Sequence, residues 1–179
     1  MPTSLVLTVL GEDRPGLVES LASIIAAHDG NWLESRMAQL AGQFAGILRT
    51  SVPDANAAAL INALQGLAVH GLQVVVARSS TDEPAQNSRW LTLDLVGNDH
   101  LGIIRDLART LAQRGINIEE LKTECTSAPM TGGILFKATA RLRVPLDVAV
   151  TELQVTLEQL AHDLMVNITL EGPVTYCWH

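Results

Sequence analysis

Leu5-Val6-Leu7-Thr8-Val9-Leu10-Gly11-Glu12-Asp13-Arg14-Pro15-Gly16-Leu17-Val18 opens this chain. Leu91-Thr92-Leu93-Asp94-Leu95-Val96-Gly97-Asn98-Asp99-His100-Leu101-Gly102-Ile103-Ile104 writes it again 86 residues later. Extending the match over 5–34 and 91–120 leaves ten of thirty positions identical: Leu5, Leu7, Gly11, Asp13, Gly16, Leu21, Ala22, Ala26, Asn31 and Glu34. Chance gives about two or three, with even common residues at roughly a tenth of usage. The 179 residues are therefore two copies of one unit, and the same turn occurs twice.

Around that turn the pattern is regular. Residues 4–10 alternate as a strand, and 16–29 carry Leu17, Leu21, Ile24, Ile25 and His28 on one helical face. Gly30 and Asn31 stop the helix. Residues 32–40 and 44–52 read as strands around a turn at 41–43. Pro53 and Asp54 open a second helix, with Asp54 as its N-cap, and His70-Gly71 closes it. Residues 72–77 form the last strand. The second copy gives strands at 90–96, 118–125, 134–144 and 164–170, and helices at 102–113 and 145–162. Pro53 matches Pro145 at an offset of 92, so six residues are inserted, placed within 126–133.

The order βαββαβ predicts an α+β fold of two ferredoxin-like domains in tandem, each an antiparallel sheet with two helices on one face. The expected division is domain 1 at 1–79, a polar linker at 80–88, domain 2 at 89–172 and an apolar tail at 173–179. The free sheet face must be covered or polar, and the two copies could join edge to edge or face to face.

Composition narrows the function. The net charge is −7, with only two lysines among 12 basic residues, so the basic footprint of direct nucleic-acid binding is missing. No apolar run reaches the ~18 residues of a membrane helix, and residues 1–4 lack a signal-peptide pattern, which makes the cytoplasm the expected location. Cys125 and Cys177 form no CxxC; a reduced, semi-buried Cys125 is expected. The five histidines form no ligand pair, and no nucleophile–base set, P-loop or dinucleotide motif occurs, so neither a metal, a cofactor nor catalysis is expected.

The repeated turn reads G-x-D-x-x-G followed by two aliphatic residues. Asp13 and Asp99 are placed to cap the following helices. Gly16 and Gly102, read as lying in the first helical turn, imply close approach of a backbone or a ligand that a Cβ would block. Free N–H groups at a helix N-terminus suit a carboxylate. A nearby aspartate suits an ammonium group. Together these are the requirements of a free amino acid.

The βαββαβ order, Asp13-Arg14-Pro15-Gly16-Leu17-Val18, Asn31 at the head of the second strand, and Gly115-Ile116-Asn117-Ile118-Glu119-Glu120 in copy two resemble the ACT domain. A stand-alone tandem pair of this length is similar to the glycine cleavage system transcriptional repressor family. The resemblance covers about 5–78 and 90–172. It implies amino-acid binding at an interface between domains through Asp13, Arg14, Pro15, Gly16 and Leu17 with Asn31 beside them, and through Asp99, His100, Gly102 and Ile103 with Asn117. Copy two departs from the pattern at Leu101 and His100, where copy one has Pro15 and Arg14.

The resemblance further implies a non-enzymatic repressor of glycine cleavage genes that binds a small amino acid such as glycine. It would act through a LysR-type activator protein rather than on DNA, as a monomer or homodimer. The rival readings are a ligand-free interaction module and an amino-acid sensor that controls an enzyme.

Overall fold

The computed structural model describes residues 1–79 and 87–172. The expected tail lies outside the described residues, as does the expected linker except Asn87 and Ser88, and Ser88 already belongs to a strand. The chain divides into two compact units, Met1–Glu83 and Pro84–His179.

In the first unit β1 (Pro2–Glu12) leads into α1 (Leu17–Ala27), then β2 (Asn31–Leu40), β3 (Gln43–Pro53), α2 (Asp54–Gln65), a 3-10 turn at Gly66–His70 and β4 (Leu72–Arg78). The second unit repeats this as β5 (Ser88–Asn98), α3 (Ile103–Ala112), β6 (Asn117–Ser127), β7 (Ile134–Pro145), α4 (Val150–Leu164) and β8 (Val166–Glu171). The sheets run β2-β3-β1-β4 and β6-β7-β5-β8, and every neighbouring pair is antiparallel. These are two ferredoxin-like α+β sandwiches.

Alternation along the central strands builds each core. Leu5, Leu7 and Val9 of β1 point to the helices, as do Leu48 and Val52 of β3 and Leu72 and Val74 of β4. Leu17, Leu21 and Ile25 meet them from α1, and Ala57, Leu60 and Leu64 from α2. Leu91, Leu93 and Leu95 of β5 do the same in the second unit, against Ile103, Leu107 and Leu111 of α3 and Leu153 and Leu157 of α4.

The opposite sheet faces diverge. In the first unit Val6, Leu10, Ile47 and Val75 lie on that face together with Thr8 and the Arg49–Glu34 ion pair. In the second it carries Asp94, Thr139, Arg141 and Trp90. The Thr139 hydroxyl donates to Asp94 at 2.8 Å, and the Arg141 guanidinium stacks 4.2 Å above the Trp90 ring.

Three expectations need correction. Asp54 is the first residue of α2 rather than its cap; the N-cap is Pro53, and the Asp54 carboxylate accepts from the Thr3 hydroxyl instead. The helix expected from Pro145 starts at Val150, because Arg89 draws residues 146–148 into a turn. Its guanidinium donates to the carbonyls of Leu146 at 3.1 Å and Val148 at 2.8 Å. Cys125 is exposed, since β6 is an edge strand. The insertion falls in the hairpin: the two-residue loop at 41–42 becomes six residues at 128–133, and β6 and β7 are each one residue longer than β2 and β3.

The second helical segment of each unit ends on a left-handed residue, Gly71 (φ 82°) in the first and Met165 (φ 52°) in the second. A side chain in that conformation carries a penalty that glycine avoids. Met165 is exposed, so little packing is lost on trimming it. Met165→Gly is expected to stabilise the protein by about 0.5–1 kcal/mol, read as a raised urea midpoint at unchanged slope.

Candidate functional site

The repeated turn lies at the C-terminal end of β1 and of β5, and its conformation is the same in both units. Its first glycine is a close-approach residue. A Cβ on Gly11 would sit 2.6 Å from the Gly71 carbonyl oxygen, and one on Gly97 would sit 2.4 Å from Val166 Cγ1. The strands β4 and β8 start against these glycines, and a side chain would push them away.

The next residues are tied by matching bonds. The Asp13 N–H donates to the Gly42 carbonyl and the Asp99 N–H to the Ile134 carbonyl, both at 2.9 Å. Each turn is thereby fixed to the hairpin of its own unit. The Arg14 guanidinium donates to the His70 carbonyl, and His100 Nε2 donates to the Leu164 carbonyl at 3.1 Å. Arg14 and His100 occupy the same repeat position, and both lock the turn to the end of the second helical segment. Their side chains do structural work in tying each turn to its own unit.

The second glycine is the helix N-cap. Gly16 has φ 91° and ψ −1°, and Gly102 has φ 88° and ψ 6°; both are left-handed. The Gly16 carbonyl accepts from the Ser20 N–H at 2.9 Å, and the Gly102 carbonyl from the Asp106 N–H at 3.0 Å. This corrects two expectations. Asp13 and Asp99 are not the N-caps, and neither helix has a side-chain cap hydrogen bond. Gly16 is needed for its backbone angle rather than for close approach, since an added Cβ would meet nothing within 4 Å.

What remains is a pair of exposed turns at the two helix N-termini. The first N–H groups of α1 and α3 have no acceptor within their helix and no side-chain cap; the space beside Gly16 is open, whereas the Arg105 guanidinium lies against Gly102. Such an end suits a carboxylate. Asp13, Pro15 and Gly16 are exposed beside it in the first unit, as is Asp99 in the second. Leu17 and Ile103 are placed differently: their side chains are in the core, so only their backbone N–H groups face outward.

Asn31 and Asn117 are not beside the turns. Asn31 pairs with Ser51, which also pairs with Ser4 at the start of β1. Glu12, at the turn, is eight residues further along β1, about 26 Å at the rise of an antiparallel strand. The second unit repeats this arrangement, with Asn117 opposite Arg143 and Arg143 opposite Trp90. Turn and asparagine therefore mark opposite ends of one sheet, because β1 and β2 run in the same direction with a helix between them. No local pattern in the sequence records this strand direction.

Sequence reasoning also passed over the residues around Asn117. Asn117 Nδ2 donates to Glu119 Oε1 at 2.6 Å, and Arg143 Nε lies 3.1 Å from the same oxygen. A hollow of about 260 Å3 adjoins them, lined by Asn117, Arg143, Gly115, Pro145, Asn87 and Ser88. Among the described residues, no three His, Cys, Asp or Glu side chains gather as a metal-holding group, and no helix is long and apolar enough to cross a membrane.

Two sandwiches sharing one turn geometry define a tandem-domain protein. Residues 3–77 match the family model of the ACT domain. The chain belongs to the ACT-domain family, with the second unit repeating the fold of the first. It is 32% identical to an "Unknown Protein" from Galdieria sulphuraria, covering 97% of this chain and 100% of that one with a TM-score of 0.88. A "putative glycine cleavage system transcriptional repressor" shares the fold at 22% identity, covering 96% of this chain and 97% of that one with a TM-score of 0.71. No curated protein matches the sequence.

Proposed function

We propose that this chain is a non-enzymatic regulator that senses a small amino acid, with glycine the first candidate. The supporting observation is the pair of exposed turns with matching cap angles and backbone bonds, the first of which leaves its helix N-terminus open next to an aspartate. The N–H groups of Leu17 and Ile103 take the ligand carboxylate, and Asp13 and Asp99 take its ammonium group. Pro15 and Gly16 in one turn, and Gly102 in the other, shape the approach. Arg14 and His100 hold the turns in place. Asn31 and Asn117, at the opposite end of each sheet, do not share a ligand with the turn of their own unit. The two ACT domains span 1–79 and 89–172 in our reading.

The repressor whose fold the chain shares suggests the biological reading, control of glycine cleavage genes, and we place the protein in the cytoplasm. A net charge of −7 favours a protein partner over DNA, and we take that partner to be a DNA-binding activator of the LysR type. Ligand binding then shifts the population of the domain arrangement that the partner recognises.

The test is thermal unfolding of the purified protein against each of the twenty amino acids at millimolar concentration. A ligand well above its dissociation constant adds stability in proportion to its saturation, so glycine is expected to raise the midpoint by a few degrees. A midpoint unmoved by all twenty overturns the sensor reading and leaves a constitutive interaction module.

A further inference from the structure

The helix layer of the second unit carries opposite charges on its two helices. We propose that two copies of the chain associate through this layer, with α3 of each copy lying on α4 of the other. This association is independent of the amino-acid reading above.

α3 and α4 follow strands β5 and β7, which are antiparallel, so the helices are antiparallel too. The start of α3 lies beside the end of α4, where His100 Nε2 donates to the Leu164 carbonyl. Further along, the Arg114 guanidinium donates to the Thr156 hydroxyl. Opposite its buried Leu107, α3 exposes Arg105 and Arg109, one turn apart, and Arg114 follows beyond its end. α4 exposes Glu152, Glu158 and Asp163 instead. Among the described residues no ion pair joins the two helices, and Arg105 binds its own neighbour Asp106. Exposed apolar side chains flank the same layer: Leu101 just before α3, Met165 just after α4 and Val155 within α4, at 99%, 85% and 65% exposure.

The first unit shows what the fold by itself requires. Glu19 and Ser23 stand where the second unit has Arg105 and Arg109, and α2 carries no charge beyond Asp54. Pro15 and Gly71 stand where it has Leu101 and Met165. Neither charged row is therefore needed to pack helices on such a sheet. Met165 even holds a left-handed angle that Gly71 takes without penalty.

A two-fold axis parallel to the helices places α3 on the partner's α4 and makes the same contact twice. Counting about 1.5 Å per residue from the level of the Arg114–Thr156 contact, the partner's Asp163 falls between Arg105 and Arg109. Leu101 meets the partner's Met165 at the same end. Stacking α3 on α3 would oppose arginine to arginine. The layer measures about 20 Å each way, from the helix rise and a helix spacing of roughly 8–10 Å. That is the small, transient end of protein interfaces, so the association is weak and falls with salt.

The experiment is sedimentation velocity of the full chain from low to several hundred micromolar. A monomer–dimer equilibrium is expected, shifted toward monomer in about 0.5 M salt. Arg109→Glu and Asp163→Arg are each expected to weaken the dimer about tenfold or more, and the two combined in one chain to restore it. Leu101→Ser, which leaves the backbone bonds of the turn in place, is expected to weaken it as well. Circular dichroism verifies that every variant is folded. A native chain that stays monomeric throughout overturns the proposal. So do folded single variants that dimerise like the native chain, a double variant no tighter than either single one, or a dimer that ignores salt.

Discussion

Leu7→Ala is expected to lower the unfolding free energy by about 2–5 kcal/mol, whereas Leu10→Ala on the same strand changes it by less than about 1 kcal/mol. Leu7 is fully buried and points between α1 and α2, so truncation removes its contacts and leaves a cavity that rigid neighbours cannot fill. Leu10 lies on the opposite face and is 46% exposed. Both are leucines in β1, so strand propensity is the same for the two. The difference isolates which face of the sheet is the core. Urea unfolding followed by circular dichroism measures it, and equal effects of the two substitutions would disprove the face assignment.

Gly16→Val is expected to cost roughly 2–3 kcal/mol, while Gly16→Asn is expected to cost markedly less. With φ at 91°, Gly16 holds a left-handed conformation that a β-branched residue resists and asparagine tolerates. Space does not account for the glycine, because a Cβ there has no neighbour within 4 Å. In thermal scans the valine variant is expected to lose stability and glycine response together, since a turn that cannot keep its backbone cannot present the N–H groups of α1. The asparagine variant is expected to keep both. Equal destabilisation by the two would show that bulk, not backbone angle, is what the position excludes.

The roles of the four repeated turn glycines show where a sequence stops being readable. The repeat marks all four as special, and glycine has only a few physical uses. Which use applies depends on what lies nearby. Gly11 and Gly97 are pressed by β4 and β8, strands some 60 or 70 residues further along the chain. Gly16 and Gly102 are set by the backbone path into the helix. The same limit displaced the start of α4: Pro145, which matches Pro53, read as a helix start, but Arg89 takes the carbonyls of Leu146 and Val148 for a turn. It also placed Asp13 and Asp99 at caps that the glycines occupy.

The sequence by itself determined the number of domains, the βαββαβ order, the core faces of the helices and the identity of the exposed turn. Each follows from local periodicity or from comparing two stretches of one chain, and neither requires knowing what packs on what. Only the tertiary structure decided that Asn31 and Asn117 sit about 26 Å from their own turns, because that distance depends on strand direction and pairing register. It alone showed Arg14 and His100 latched to the second helical segment, and Glu119 held between Asn117 and Arg143. Hydrogen bonds between residues distant in sequence leave no period and no motif, so they become visible only once the chain is folded.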